Sequence, residues 1–146
     1  MSKLLSGKTA LILGVANRWS IAYAIAKAYH REGANIILTY QGERLRATIE
    51  DLAAELGPAR VIPCDVTIDS EIDAMAASLK DAPANLDIVV HSIAFANRED
   101  LNRPFVETSR DGYLLAQNVS AYSLIAVSRA CAPLMCEANN QELGAM

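Results

Sequence analysis

The chain has 146 residues, 52% of them hydrophobic and 21% charged. That length suits one domain with a sizeable core, and that composition excludes disorder for the bulk of the chain. Lysine and arginine number 13 against 17 acidic residues, a net charge of -4 that argues against nucleic acid as a partner.

The first eight residues, Met1 to Lys8, lack the apolar stretch and small-residue cleavage site of a secretory signal. No apolar run approaches the roughly 20 residues that span a bilayer. A cytoplasmic protein without membrane contact is expected. Cys64, Cys131 and Cys136 are odd in number and show no Cys-x-x-Cys spacing. They read as buried free thiols. His30 and His91 stand far apart without ligand-like neighbours, so no metal site is expected.

Taken in order, the elements alternate. Thr9 to Val15 is a continuous apolar run, the pattern of a strand covered on both faces. Ile21, Ala22, Ala24, Ile25, Ala28 and Tyr29 follow at helical spacing, with Ser20 as cap and Gly33 as stop. Asn35 to Gln41 is a second strand. Leu45, Ile49, Leu52, Ala53 and Leu56 mark a second helix, ended by Gly57-Pro58. Arg60 to Asp65 is a third strand, and its internal Pro63 places it at a sheet edge. Ile72, Met75, Ala76 and Leu79 mark a third helix, capped by Asp69. Leu86 to Ser92 is a fourth strand. A long loop runs from Ile93 to about Thr108, and loops of that length are often functional. Ser109 to about Glu137 is helical again, blemished by Gly112 and ended or bent at Pro133. Residues 138–146 read as an irregular tail.

This β-α-β-α-β-α-β-α order predicts a Rossmann-like, doubly wound parallel sheet with strands in the order 3-2-1-4 and flanking helices. Four strands make one mononucleotide-binding half and the start of a second. The expected organisation is therefore a truncated α/β domain over 1–137 and a tail over 138–146. Ligands of such folds bind beyond the carboxyl ends of the strands, where the strand order reverses. Here those ends are Gly14 and Ser92-Ile93.

Four strand ends carry candidate chemistry on that one edge. Gly14 allows close backbone approach to a ligand, and Ser20 opens a helix whose N–H groups favour phosphate. An ordinary strand-to-helix turn with a serine cap explains the same residues. Gln41 stands where many dinucleotide folds carry an acid for ribose hydroxyls, with Arg44 and Arg46 beyond it. An amide does not repel a 2′-phosphate, so this chemistry leaves NADH and NADPH open. Asp65 could accept from an adenine amino group or cap the next helix. The stretch His91-Ser92-Ile93-Ala94-Phe95-Ala96 suits a flat ring passing over small and apolar residues, or simple core packing.

These pieces together resemble the NADH-dependent enoyl-acyl-carrier-protein reductases of bacterial fatty-acid synthesis, a branch of the short-chain dehydrogenase/reductase superfamily. The resemblance rests on Gly14-Val15-Ala16-Asn17 with Ser20-Ile21-Ala22, and on Thr39-Tyr40-Gln41, Cys64-Asp65-Val66 and His91 to Ala96. Ser120-Ala121-Tyr122-Ser123 extends it, and the whole covers roughly positions 4 to 135. It implies that Gly14, Ser20 and Ile21 bind pyrophosphate and the nearby ribose. It further implies Gln41 in the adenosine region, Asp65 and Val66 at the adenine, Ile93 at the nicotinamide and Ala96 on the acyl-substrate side. The implied cofactor is NADH, the implied substrate an acyl-carrier-protein thioester, and the implied assembly a homotetramer. Asn118 matches a helix asparagine that supports a proton relay in the wider superfamily.

The resemblance also implies two tyrosines and a lysine beyond the last helix, and no residue here matches them. Cys136 to Glu142 replaces an expected apolar strand, and Glu142 stands at the first tyrosine's place. No catalytic residue is assigned, and turnover by this chain alone is not expected. The rival readings are another short-chain reductase and a non-catalytic nucleotide-binding or interaction module.

Overall fold

In a computed structural model the chain folds as a four-stranded parallel sheet between two helical layers. The structure describes residues 3–80 and 85–139, with side chains as far as residue 135.

The central strand β1 (Thr9–Leu13) is buried along its whole length, as its unbroken apolar sequence requires. It pairs with β2 (Asn35–Tyr40) on one side and β4 (Ile88–His91) on the other, both parallel, with Leu11 opposite Ile37 and Val89. The strand β3 (Arg60–Pro63) lies outside β2, giving the order β3-β2-β1-β4. Pro63, which has no N–H to give a ladder, thus sits on an edge strand as its chemistry demands. At the other end of the sheet, Asp87 accepts from the Lys8 ammonium at 2.8 Å and from the Thr9 N–H at 2.9 Å, which fixes where β1 and β4 start.

Alternate residues of β1 face opposite layers. Ala10 and Ile12 pack with Tyr23 and Ala26 of α1 (Ile21–Arg31) and Ile49 and Leu52 of α2 (Glu43–Ala54). Leu11 and Leu13 pack with Ile72 and Met75 of α3 (Asp69–Lys80) and Val127 and Cys131 of α6 (Ser123–Asn139). Each fully buried leucine or isoleucine contributes roughly 1.5–3 kcal/mol. Both faces are needed, because a sheet this apolar cannot leave one side to water.

Several local expectations change. Ser20 occupies the position before α1, but its hydroxyl makes no bond to that helix. Asp69 is the first residue of α3 rather than its cap; Glu71 and Ile72 bond to the Ile68 carbonyl instead. The reason begins four residues earlier, where the Asp65 carboxylate turns the chain by accepting from Thr67 N–H and Oγ1. The expected loop from Ile93 holds a short helix α4 (Arg98–Leu101) and a 3-10 turn (Phe105–Glu107). Pro133 does not end α6, because Leu134 and Met135 beyond it still pack on the second cluster. Ala138 and Asn139 continue that helix, where neither glycine nor proline stops it. Residues 140–146 of the expected tail lie outside the described residues.

The expected single last helix is three pieces: α5 (Arg110–Gln117), a π turn (Asn118–Tyr122) and α6. Its Gly112 blemish has a purpose, since a side chain there would run into the Asp100 carboxylate of α4. Asp100 accepts from the Ser109 N–H at 3.0 Å, and the Ser109 hydroxyl accepts from the Gly112 N–H at 3.0 Å. Ser109 is therefore a true helix cap. Ser109→Ala is expected to lower stability by about 1 kcal/mol in urea denaturation; an unchanged midpoint would refute that role.

Candidate functional site

The carboxyl ends of the strands open into a cleft of about 470 Å³. Ligand pockets span roughly 300–1,000 Å³, so this is an ordinary size for one. The cleft lies where β1 and β4 part. Ser92 still donates to the Leu13 carbonyl at 3.1 Å, continuing the ladder one residue past β4. Gly14 then leaves β1 at φ +103°, and a Cβ there would collide with the Ser92 carbonyl. Only glycine satisfies both the left-handed conformation and the close approach.

Beyond Gly14 the chain reaches α1 through a short exposed loop. The Ser20 hydroxyl accepts from the N–H groups of Ala16 at 3.0 Å and Asn17 at 3.1 Å. It thus holds the loop rather than the helix. A hydroxyl accepts twice and still has one proton to donate. Among the described residues, the first N–H groups of α1, those of Ile21 and Ala22, find no acceptor. A helix start with free N–H groups and a free hydroxyl proton is suited to an anion.

The other end of the cleft is built by β2 and β3. Gln41 donates through Nε2 to Asp65 Oδ2 at 2.8 Å. Burial opposes ionisation of Asp65, but the hydrogen bonds from Gln41 and Thr67 prevail and hold its carboxyl below the ordinary range. The Asp65 N–H is fixed by the Glu71 carboxylate at 2.7 Å. Arg46 is tied to Glu50 at 2.8 Å on its own helix, the solvated-face arrangement. Cys64 lines the cleft, yet burial, then Glu71 and Asp65, push its thiol up to about 12. It stays protonated and is no nucleophile. Cys64 and Cys131 are both buried and free.

Of the residues singled out from sequence, Gly14, Gln41, Val66 and Ile93 line this one cleft. Asp65 lines an adjoining hollow that shares Gln41. Ser20, Ile21 and Ala96 do not line it; Ser20 touches it only through Ala16. Sequence reasoning missed Leu115 and Val119, which reach the cleft from α5 and the π turn. Their spacing of four was a signal, but core-facing pairs share it. It also missed what Ser120 and Ser123 do. Ser120 Oγ bonds both the N–H and the carbonyl of Phe95, at 3.0 and 3.2 Å. Ser123, wholly buried, bonds His91 Nε2 at 2.7 Å and the Val119 carbonyl at 2.6 Å. Among the described residues, no group of three His, Cys, Asp or Glu is placed to hold a metal.

A parallel sheet in this order, with a cleft at the point where the order reverses, defines a Rossmann-like α/β protein. Within that class the chain belongs to the enoyl-(acyl carrier protein) reductase family, whose profile matches residues 14–145. The enoyl-[acyl-carrier-protein] reductase [NADH] FabI of Bacillus cereus is 49% identical over 140 residues, covering 94% of this chain and 55% of that protein. The crystal structure of the Bacillus cereus enoyl-acyl carrier protein reductase with NADP+ and indole naphthyridinone matches at a TM-score of 0.88 and 50% identity. That match covers 92% of this chain and 53% of the other. The Aquifex aeolicus enoyl-[acyl-carrier-protein] reductase (NADH) structure matches at 0.87 and 45% identity, covering 90% and 57%. The chain thus spans about half the length of the relatives it matches.

The burial of His91 carries a pH dependence. Burial pushes His91 protonation below the ordinary value of 6.5, and its own backbone carbonyl opposes this only in part. As pH falls through 6.5 the unfolded chain takes up the proton first, so this contribution to stability is whole above 6.5 and declines below it. The slope is at most about 1.4 kcal/mol per pH unit. His91→Gln, which keeps an N–H donor for Ser123, is expected to flatten the denaturation midpoint between pH 6.5 and 5. An unchanged slope in the variant would remove His91 as its source.

Proposed function

We propose that this chain is the dinucleotide-binding portion of an NADH-dependent reductase of enoyl-acyl-carrier-protein thioesters. The observation that carries the reading is the meeting of Gly14, Gln41, Val66 and Ile93 in one cleft at the switch point of a family-matched fold. NADH supplies hydride for the trans-2 double bond of the enoyl chain. The protein's task is then to bind and orient.

In this reading Gly14 gives the pyrophosphate an unobstructed backbone. Ser20 donates its free hydroxyl proton, and Ile21 its unengaged N–H. Gln41 gives one amide N–H to Asp65 and keeps its second N–H and its carbonyl oxygen for ribose hydroxyls. Val66 and Asp65 bound the adenine. Ile93 lines the nicotinamide side, and Ala96 faces the acyl chain. A 2′-phosphate near Gln41 would meet the ionised Asp65, with Arg46 already committed to Glu50. That arrangement supports NADH over NADPH. No residue of this chain is assigned to enolate stabilisation, so the rate enhancement that oxyanion contacts provide is not expected from it alone.

Exposed apolar residues recur from α4 to α6: Leu101, Phe105, Val106, Leu114 and Ile125 among them. Such faces mark association surfaces. Their exposure supports the self-association that the family's homotetramer implies, and a reducing cytoplasm suits the buried free thiols. No helix among the described residues is long and apolar enough to cross a membrane.

Trp19 is the single tryptophan and sits exposed on the Gly14–Ser20 loop. Its emission offers a direct readout of cofactor. NADH is expected to quench it weakly, with NADPH weaker by about tenfold, a difference of about 1.4 kcal/mol. A crotonyl thioester added to chain and NADH is expected to leave the NADH absorbance unchanged. Equal quenching by both cofactors would remove the Gln41–Asp65 argument, and robust turnover would contradict the assignment of no catalytic residue. In light scattering, concentration-dependent self-association is expected; a clean monomer at high concentration would contradict it.

A further inference from the structure

A π turn is a rare interruption of a helix, frequent at functional sites, and side-chain contacts flank this one. Here the contacts are two serine hydroxyls on Ser120 and Ser123. A hydroxyl has one proton. Ser123 gives its proton to the Val119 carbonyl and so accepts from the Nε2–H of His91, the last residue of β4. Ser120 faces the backbone of Phe95 and makes contact with both its N–H and its carbonyl. Three residues apart, Ser120 on the turn and Ser123 at the start of α6, the serines therefore hold the chain at His91 and at Phe95. Between those points lie Ser92, Ile93 and Ala94, all lining the cleft. The turn itself adds Val119 to the lining.

The two fastenings are unequal in consequence. His91 is already held by the ladder, with Leu13 opposite it. Ser92 is held by the Leu13 carbonyl. Past Ser92 the chain has no regular structure until α4. Among the described residues, no hydrogen bond other than those from Ser120 holds the backbone from Ile93 to Ala96.

We propose that Ser120 is a positioning residue: it sets the far wall of the cleft by fixing the backbone at Phe95, and so governs binding of the nicotinamide end of the dinucleotide. This rests on the dinucleotide reading above. Ser120 touches neither cofactor nor substrate in this role. It acts through Ile93, Ala94 and Phe95. The Gln41–Val66 end of the cleft, carried by β2 and β3, is outside its reach.

That separation supplies the test. NADH and ADP-ribose share the adenosine and pyrophosphate, and only NADH reaches the Ile93–Phe95 wall. The intact chain is titrated with each ligand by NMR, for wild type, Ser120→Ala and Ser120→Thr. Ser120→Ala is expected to weaken NADH about tenfold and ADP-ribose by less than about twofold. Ser120→Thr, which keeps the hydroxyl, is expected to restore NADH to within about threefold of wild type. In the free protein, amide exchange at Phe95 is expected to quicken about tenfold in Ser120→Ala and not in Ser120→Thr. Ser120→Cys, nearly isosteric and a weak hydrogen-bonding group, repeats the comparison should the alanine variant fail to fold. Equal weakening of both ligands, or of neither, overturns the positioning role while leaving the dinucleotide site standing. Wild-type chain that binds neither ligand overturns the dinucleotide site, and the inference with it.

Discussion

The carbonyl of Ser92 occupies the space that a side chain at position 14 would need, and the rest of the molecule is arranged around that contact. It occurs where the central strand β1 and its edge neighbour β4 finish together and their chains part. β1 continues through Gly14 to α1, and β4 continues through Ser92 toward α4. A side chain at position 14 would be resisted twice. The φ of +103° is outside the range that L-residues favour, and the obstruction is backbone, which no rotamer change can relieve. Relief would require β1 and β4 to move apart, and β1 is the buried centre of the sheet. The cleft therefore inherits its shape from the most constrained strand in the fold.

Around that fixed point, the polar groups at the rim are largely committed to one another. Ser20 holds its own loop, Gln41 holds Asp65, Asp65 holds Thr67, and Ser120 holds Phe95. Each bond is modest, about 1 kcal/mol net. Their joint effect is to order four loops before any ligand arrives, which lowers the entropy lost on binding. What remains free is the Ser20 proton, the first N–H groups of α1, and one N–H and the oxygen of the Gln41 amide. The helix start that favours an anion lies at the Gly14 side, and the Asp65 carboxylate lies at the Gln41 side. An elongated ligand with phosphates near one end of β1 and neutral hydroxyls near β2 matches that polarity.

The strands were legible because continuous apolar runs bounded by glycine, proline or polar residues have few other uses in a chain this size. Pro63 even located an edge, since a missing N–H has a geometric consequence that does not depend on neighbours. Polar side chains were harder. Ser20 and Asp69 both stand where a cap belongs, and both have the right chemistry for it. Ser20 turned instead to Ala16 and Asn17, and Asp69 was displaced by the turn that Asp65 makes. A short side chain chooses among acceptors and donors within a few ångströms, and sequence order does not rank them. The π turn left no trace at all. Asn118 to Tyr122 contains nothing that an α-helix would reject, and the serines in and beside it bond to His91 and Phe95, some 25 to 32 residues away. Pro133 failed as a stop for the same reason, because burial of Leu134 and Met135 outweighed the local defect.

The two ends of the cleft differ in how firmly they are founded. Tyr40 and Leu38 of β2 are buried, and β2 is paired along both edges. The Gln41–Val66 end thus rises from the sheet's interior. The Ile93–Phe95 end rises from β4, whose four residues are all only half buried and which pairs on one edge among the described residues. It is secured by His91–Ser123 and then by Ser120. Local opening costs least where few buried apolar contacts and few hydrogen bonds resist it. By that measure the Gln41 end of the cleft is the more firmly ordered of the two. The half of the site that would face the reacting carbon is the half whose order depends on two hydroxyl groups.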